Sequence, residues 1–304
     1  MKIRHVLLMS ILTLFFLFYP GSHAYIELFS FNRELFAEQN KSISYTVESF
    51  PQVINISLYP VLTAEGTYTV DLESFTPLFE KNTHTHFYPA STTKIITALV
   101  AIDVYKLDDV LTVQRVVAEG QKMGLVEGEL ITFENLLYGL LVHSGNDAAY
   151  ILADNYGGGY DAFVSLMNKK ARDLHMHDSF FKNPAGLDDF GQYTSPFDLS
   201  LAGRALLNNH VLAKIVSIKS ITVSDVDFKY FHKLDNVNKL LGEIPGIGGL
   251  KTGYTQDAGE NLVTFYKKNK HTFLIIILKS QDRFEDTKHM VSWIDSNIEY
   301  IDPD

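Results

Sequence analysis

Residues 91–105 read Ser-Thr-Thr-Lys-Ile-Ile-Thr-Ala-Leu-Val-Ala-Ile-Asp-Val-Tyr, and beyond the fourth position the run is apolar almost all round. A helix with no polar face belongs in the middle of a domain rather than on its surface. Ser91, just after Pro89-Ala90, is expected to open that buried helix, with Lys94 one turn further along the same side. A solvated lysine behind an ordinary N-cap serine does not suit such an apolar setting. The pattern instead suits a nucleophile and its base, because a serine hydroxyl needs an adjacent group to take its proton. Lys94 could serve only if desolvation or a neighbouring cation depressed its pKa, and Lys251 is a candidate for that cation. A helix N-terminus would also aim backbone N–H groups at a reacting carbonyl.

Around this centre the pattern is mixed. Thr67 to Leu72 and Pro77 to Glu80 suggest a hairpin turning near Glu73-Ser-Phe. Helices are expected over Phe133–Leu141, Asp147–Tyr156 (closed by Gly157-Gly-Gly159), Asp161–Leu174 and Pro196–Leu207. After that the period changes. Gly248–Thr255, Asn261–Tyr266 and Thr272–Lys279 suggest antiparallel strands, the last two joined at Lys267-Lys-Asn-Lys270, with a final helix near Asp286–Ile298. Helices flanked by strands from both ends of the chain imply an α+β domain with one antiparallel sheet.

Two further short stretches gain weight from company. Ser144-Gly-Asn146 falls between two expected helices, where taken alone it is a turn. Lys251-Thr-Gly253 sits on an expected strand led in by Gly246, Gly248 and Gly249, glycines that taken alone suggest a bulge. In order, with Ser91-x-x-Lys94, they resemble the signature of penicillin-recognising serine enzymes. From about residue 66 to 298 the chain resembles the low-molecular-mass penicillin-binding proteins that act as serine-type D-alanyl-D-alanine carboxypeptidases. Tyr88-Pro-Ala-Ser-Thr-Thr-Lys94, Leu137-Tyr-Gly-Leu-Leu-Val-His-Ser-Gly-Asn-Asp-Ala-Ala149, Asn183-Pro-Ala-Gly-Leu-Asp188 and Gly249-Leu-Lys-Thr-Gly-Tyr-Thr255 carry the likeness.

The resemblance implies the penicillin-recognising fold, a helical subdomain packed on an antiparallel sheet with the site at their junction. It implies that Ser91 is acylated by the penultimate D-alanine of a peptidoglycan stem peptide, with Lys94 as base. Ser144 would relay the proton to the leaving D-alanine, and Asn146 would hold the substrate amide. Lys251 would add positive potential, and Thr252, with Gly253 beside it, would bind the terminal carboxylate. Backbone N–H groups of Ser91 and Tyr254 would form the oxyanion hole, and Arg283 is the candidate carboxylate-binding arginine. β-Lactams would be covalent inhibitors; no cofactor and no metal are implied. The likeness departs at Ala185, where relatives often have His, and in the long segment 25–65. A second C-terminal β-domain and an amphipathic membrane-tethering tail, present in some relatives, are expected to be missing.

Export is expected from the N-terminus. Lys2, Arg4 and His5 precede 14 largely apolar residues, Val6 to Tyr19, and Ser22-His-Ala24 resembles a cleavage site. A run of that length suits a signal segment better than a span, which needs about 20 residues, so contact with membrane is expected only if 1–24 stays uncleaved. The expected division is 1–24 signal or anchor, 25–65 extension and 66–304 catalytic domain. In the extension Leu28, Phe31, Leu35 and Phe36 have helical spacing, which suggests packing on the domain. There is no cysteine, which excludes disulfides, thiolate metal sites and a cysteine nucleophile. Without Lys2 and Arg4 the net charge moves from −10 to −12, a balance that argues against nucleic acid.

Three rivals remain. A class A β-lactamase would need a deacylating glutamate, yet none occurs from Asn135 to Gly242, and Gly145 stands where the Ser-Asp-Asn form has Asp. A metal hydrolase could use His84 with His86, or His175 with His177, but no third ligand is evident near either pair. A scaffold that kept the fold without activity would not bind penicillin at Ser91. Endopeptidase and carboxypeptidase activities cannot be divided from sequence.

Overall fold

The three strands expected near the C-terminus are neighbours in one sheet and run from its middle to one edge. In the computed structural model, which describes residues 3–18, 50–55, 59–117 and 119–301, β10 (His271–Ser280) is the middle strand of five. Its run Phe273 to Leu278 is apolar without alternation because both faces are covered. Phe273, Ile275 and Ile277 meet α8 (Arg283–Asn297) through Met290, Trp293 and Ile294. Leu274, Ile276 and Leu278 face the helical side.

The sheet order is β3 (Pro77–Lys81), β2 (Gly66–Asp71), β10, β9 (Gly259–Lys268) and β8 (Ile247–Thr255), antiparallel throughout. The 66–81 hairpin is therefore present as expected. So is the turn between β9 and β10, where Asn269 adopts a left-handed φ of 56° that asparagine tolerates well. Strand β8 is an edge, and that matters below. Gly248 leads it past Phe265 so closely that a Cβ would lie 1.8 Å from the ring, and the register shifts between Gly248 and Lys251.

The helical side comprises α2 (Lys94–Val104), α3 (Phe133–Leu141), α4 (Asn146–Asp154), α5 (Gly159–Asp173), α6 (Pro196–Asn208) and α7 (His210–Val216). Thr132 caps α3 through Asn135 N, Ser195 caps α6 ahead of Pro196, and Asp282 caps α8 through Phe284 and Glu285 N. From Lys94 to Ala101 every residue of α2 is buried, which fits its lack of a polar face. Ala90, at a φ of 47°, lies in a 3₁₀ turn over Ala90–Thr93 that contains Ser91 and leads directly into the α-helix at Lys94. The architecture is the expected α+β arrangement, with the helical subdomain on one face of an antiparallel sheet and α8 on the other.

Several short pairings connect distant parts of the chain. These are β4 (Val110–Thr112) with β5 (Leu130–Thr132), β6 (Ser220–Ser224) with β7 (Phe231–Asp235), and β1 (Phe50–Val53) with β11 (Ile298–Ile301). The described residues fall into two compact units, one holding α1 (Ile3–Phe18) and the other spanning 49–302. Part of the stretch read as an extension thus belongs to the larger unit. Ala64 is buried with Leu62 beside it, and Asp286 accepts from Thr63 N, Thr63 Oγ1 and Ala64 N. Leu28, Phe31, Leu35 and Phe36 lie outside the described residues. Among the described residues no helix is long and apolar enough to cross a membrane.

Candidate active site

The three sequence stretches converge on one cleft. Its lining of about 230 Å³ includes Ser91, Ser144, Asn146, Thr252, Gly253, Tyr254 and Arg283, joined by Gly120, Gln121 and the 185–187 backbone. No acidic side chain is among the lining residues, while two buried lysines and an arginine surround it.

Lys94 determines what the cleft can do. Its Nζ is wholly buried and has three partners: Ser91 Oγ at 2.8 Å, Asn146 Oδ1 at 2.7 Å and the Ala185 carbonyl at 2.8 Å. The last two can only accept. A neutral amine has two N–H groups and one lone pair, so those acceptors take both hydrogens and leave the lone pair facing the Ser91 hydroxyl. Burial pulls the Lys94 pKa down to about 7, partly opposed by the negative charge of Asp147. The base form is therefore populated at neutral pH.

Lys251 lies on the sheet wall, equally buried, and donates to the Thr252 carbonyl at 2.9 Å. Burial, then the positive charges of Lys94 and Arg283, push its pKa well below the ordinary lysine value. Arg283, the candidate carboxylate-binding arginine, reaches the cleft, and its Nη1 donates to the Gly253 carbonyl at 2.8 Å. Its Nε is buried without a hydrogen-bond partner, and Glu260 stands 4.0 Å away. Tyr254 is 66% exposed at the mouth.

Gly253 explains its own identity. A Cβ there would lie 3.0 Å from both Ser91 N and Ala90 Cβ, so the edge of β8 can approach the nucleophile turn only without a side chain. Ser144 is also constrained, with a left-handed φ of 64°; its hydroxyl makes no hydrogen bond with another described residue and lines the cleft. Asn146 is more occupied than a substrate-holding amide need be, since Oδ1 accepts from Lys94 and Nδ2 donates to the Glu119 carbonyl at 3.0 Å. One amide N–H remains for a substrate.

Sequence reasoning missed the Ala185 carbonyl as a partner of Lys94. The signal was present in Asn183-Pro-Ala-Gly186. Asn183 Oδ1 accepts from Gly186 N and Leu187 N, a side-chain turn that fixes the intervening carbonyls. Pro184 O accepts from Thr97 Oγ1, and Ala185 O from Lys94. Gly186 has a φ of 80°, and a Cβ would fall 1.8 Å from the Ala90 carbonyl. Of the histidine pairs, His84 and His86 do have an acid beside them that the sequence did not reveal. Asp178 lies 2.8 Å from His84 Nδ1 and 3.7 Å from His86 Nε2, an exposed ion pair that does not line the cleft.

With this geometry in hand, comparison with known proteins is decisive. A family model for D-alanyl-D-alanine carboxypeptidases, the S11 peptidases, matches residues 55–282. The chain belongs to that family. It is 30% identical over 240 residues to D-alanyl-D-alanine carboxypeptidase DacF of Bacillus subtilis, covering 76% of this chain and 61% of that protein. It is 33% identical over 234 residues to DacD of Escherichia coli, covering 71% and 59%. The chain thus spans about three fifths of the length of these curated relatives. Among solved structures, the Streptomyces K15 DD-transpeptidase matches with a TM-score of 0.74 at 30% identity, covering 79% of this chain and 99% of that one. A D-alanyl-D-alanine carboxypeptidase from Mycobacterium tuberculosis matches equally, with a TM-score of 0.74 and coverage of 81% and 96%. The S11 assignment agrees with both the fold class and the serine chemistry expected from the motifs.

Proposed function

We propose that this S11 protein is an exported serine D,D-peptidase that removes the terminal D-alanine from peptidoglycan stem peptides. The arrangement at Lys94 carries the reading, because it leaves one lone pair directed at one hydroxyl. Lys94 Nζ takes the proton from Ser91 Oγ as that oxygen attacks the carbonyl of the penultimate D-alanine. The tetrahedral oxyanion is received by the backbone N–H groups of Ser91 and Tyr254. Ser144, whose hydroxyl has no hydrogen-bond partner among the described residues, passes a proton to the departing D-alanine nitrogen. Water then attacks the ester, releases the shortened peptide and returns the proton to Ser91. Lys251, Thr252 and Arg283 supply the cationic end for the terminal carboxylate, consistent with a lining free of acids.

The same lining supports slow loss of a penicilloyl group, since no carboxylate stands in it to activate water. β-Lactams are therefore proposed as long-lived acylating inhibitors rather than substrates. The residues before the S11 match are proposed to direct export. The test is release of free D-alanine from a peptide ending in D-Ala-D-Ala, with Ser91→Ala and Lys94→Ala beside the native chain. Each substitution is expected to cost about three or more orders of magnitude, as for members of one nucleophile unit. Undiminished release in the Ser91→Ala variant would dispose of the proposal.

A further inference from the structure

Directly after Ser144-Gly-Asn146 comes a carboxylate that the mechanism above does not use. Asp147 is 3% exposed, and every hydrogen bond it accepts comes from backbone. Oδ1 accepts from Met123 N at 3.0 Å and Ala148 N at 2.9 Å; Oδ2 accepts from Gly124 N at 2.9 Å and Leu125 N at 3.2 Å. Three of those donors belong to the irregular segment 119–125, which contributes Gly120 and Gln121 to the cleft. A segment of that kind has no ladder of its own to hold it, so its N–H groups need outside acceptors. One side chain serves three of them.

The same segment holds the residue that holds Lys94. Asn146 N donates to the Gln121 carbonyl at 2.7 Å, and Asn146 Nδ2 donates to the Glu119 carbonyl at 3.0 Å. Those two bonds turn Asn146 so that Oδ1 meets Lys94 Nζ. The fit leaves no slack. A Cβ on Gly120 would lie 2.3 Å from Asn146 Nδ2, and one on Gly145 would lie 2.7 Å from Asp147 Oδ1 and 3.3 Å from Met123 N. This accounts for glycine as the middle residue of Ser144-Gly-Asn146: the space is filled by the next residue's carboxylate. On its outer side the segment is secured by a buried pair. His232 Nε2 lies 2.7 Å from Glu129 Oε1, and His232 Nδ1 lies 3.2 Å from the Met123 carbonyl.

We infer that Asp147 is a positioning residue of the acyl-transfer site: it pins the 119–125 segment so that Asn146 orients Lys94, and it places one fixed negative charge beside that lysine. The inference rests on the proposed acyl-transfer reading. Asp147 from α4 is the charged group that acts on Lys94, while its neighbour Lys251 feels the positive charges of Lys94 and of Arg283 from α8. Asp147 is the acid among them and raises the Lys94 pKa, so its neutralisation lowers that pKa and populates the free amine at lower pH.

The experiment measures the rate of acylation of the full chain by a fluorescent penicillin across pH, for the native protein, Asp147→Asn and Glu129→Gln. Asp147→Asn keeps one oxygen acceptor and turns an NH₂ toward N–H donors. Its plateau rate is expected to fall roughly 10²-fold, the scale for displacing a catalytic group by about an ångström. Its acidic limb is expected to move to lower pH. Glu129→Gln loosens the same segment without removing the charge beside Lys94, so its rate falls while its acidic limb stays in place. Native-like rate and limb in Asp147→Asn overturn the inference. A rate loss with an unmoved limb, matched by lost thermal stability, reduces Asp147 to a fold contact and equally overturns it. Should Asp147→Asn lack cooperative unfolding, Glu129→Gln decides, and an unchanged acylation rate there refutes control by the segment. Failure of the native chain to be acylated would instead sink the acyl-transfer reading itself.

Discussion

The cleft has two walls, and each buries a lysine completely, yet the two are supported in different ways. On the helical wall Lys94 has three hydrogen-bond partners, Ser91 Oγ among them, and feels the negative charge of Asp147. On the sheet wall Lys251 has a single carbonyl partner and the positive charges of Lys94 and Arg283 for company. Burial depresses both pKa values. Only Lys94 is geometrically coupled to a hydroxyl, and only Lys94 has a nearby acid keeping its pKa near neutrality. Equal burial therefore does not make equal bases. In the proposed mechanism that difference in hydrogen-bond geometry makes Lys94 the base and leaves Lys251 to supply positive potential.

Replacing each lysine breaks this comparison most directly. Lys94→Ala is expected to slow acylation by penicillin at least about 10³-fold, because the hydroxyl loses its acceptor. Lys251→Ala is expected to cost about 10²-fold, the scale for one electrostatic stabiliser of a developing charge. Equal losses would mean that the walls share the proton. The pH profile sharpens the division. Acylation should rise with pH through about 7 as Lys94 loses its proton. Lys251→Ala leaves in place Asp147, the charge that acts on Lys94, so its limb should stay near the native one, unlike the lowered limb expected for Asp147→Asn.

The next effect belongs to the sheet wall alone. Arg283→Gln removes a guanidinium that holds the Gly253 carbonyl and has a buried, unpartnered Nε. A hydrogen bond to a charged group contributes about 1.5–3 kcal/mol, so kcat/KM for a peptide ending in D-Ala-D-Ala should fall roughly 10- to 10²-fold. An unchanged kcat/KM would remove Arg283 from substrate binding.

What was legible in the sequence follows the same division. Long periodic elements stood out: α2 as an all-apolar helix, β10 as an antiparallel strand, and the hairpin of Thr67–Leu72 with Pro77–Glu80. The three motifs were legible because order and spacing survive without structure. The supporting contacts were not. The Lys94–Ala185 bond spans 91 residues and uses a backbone carbonyl, which no side-chain pattern reports. Strands β4 and β5 have three residues each, too few for a period to emerge. The 3₁₀ turn over Ala90–Thr93 that leads into α2, with its left-handed Ala90, has no mark in Pro89-Ala-Ser. In the sequence Asp147 only begins an expected helix, and its four backbone donors distinguish it in the structure.

The smallest predicted effect tests where the walls meet. Gly253→Ala would place a methyl 3.0 Å from Ser91 N and Ala90 Cβ, and 3.3 Å from the Pro89 carbonyl. None of those atoms is the end of a flexible side chain, so relief requires backbone movement of either β8 or the nucleophile turn. Overpacking of this kind costs about 1–3 kcal/mol, measurable as a lowered unfolding midpoint in denaturant. Because Asn183, Thr97 and Lys94 hold the nucleophile turn's surroundings on the helical side, the strand should be the part that yields. Thr252 and Tyr254 move with it. Peptide turnover should then fall further than the Ser91–Lys94 pH limb shifts, whereas a displaced limb with intact peptide binding would show that the turn moved instead.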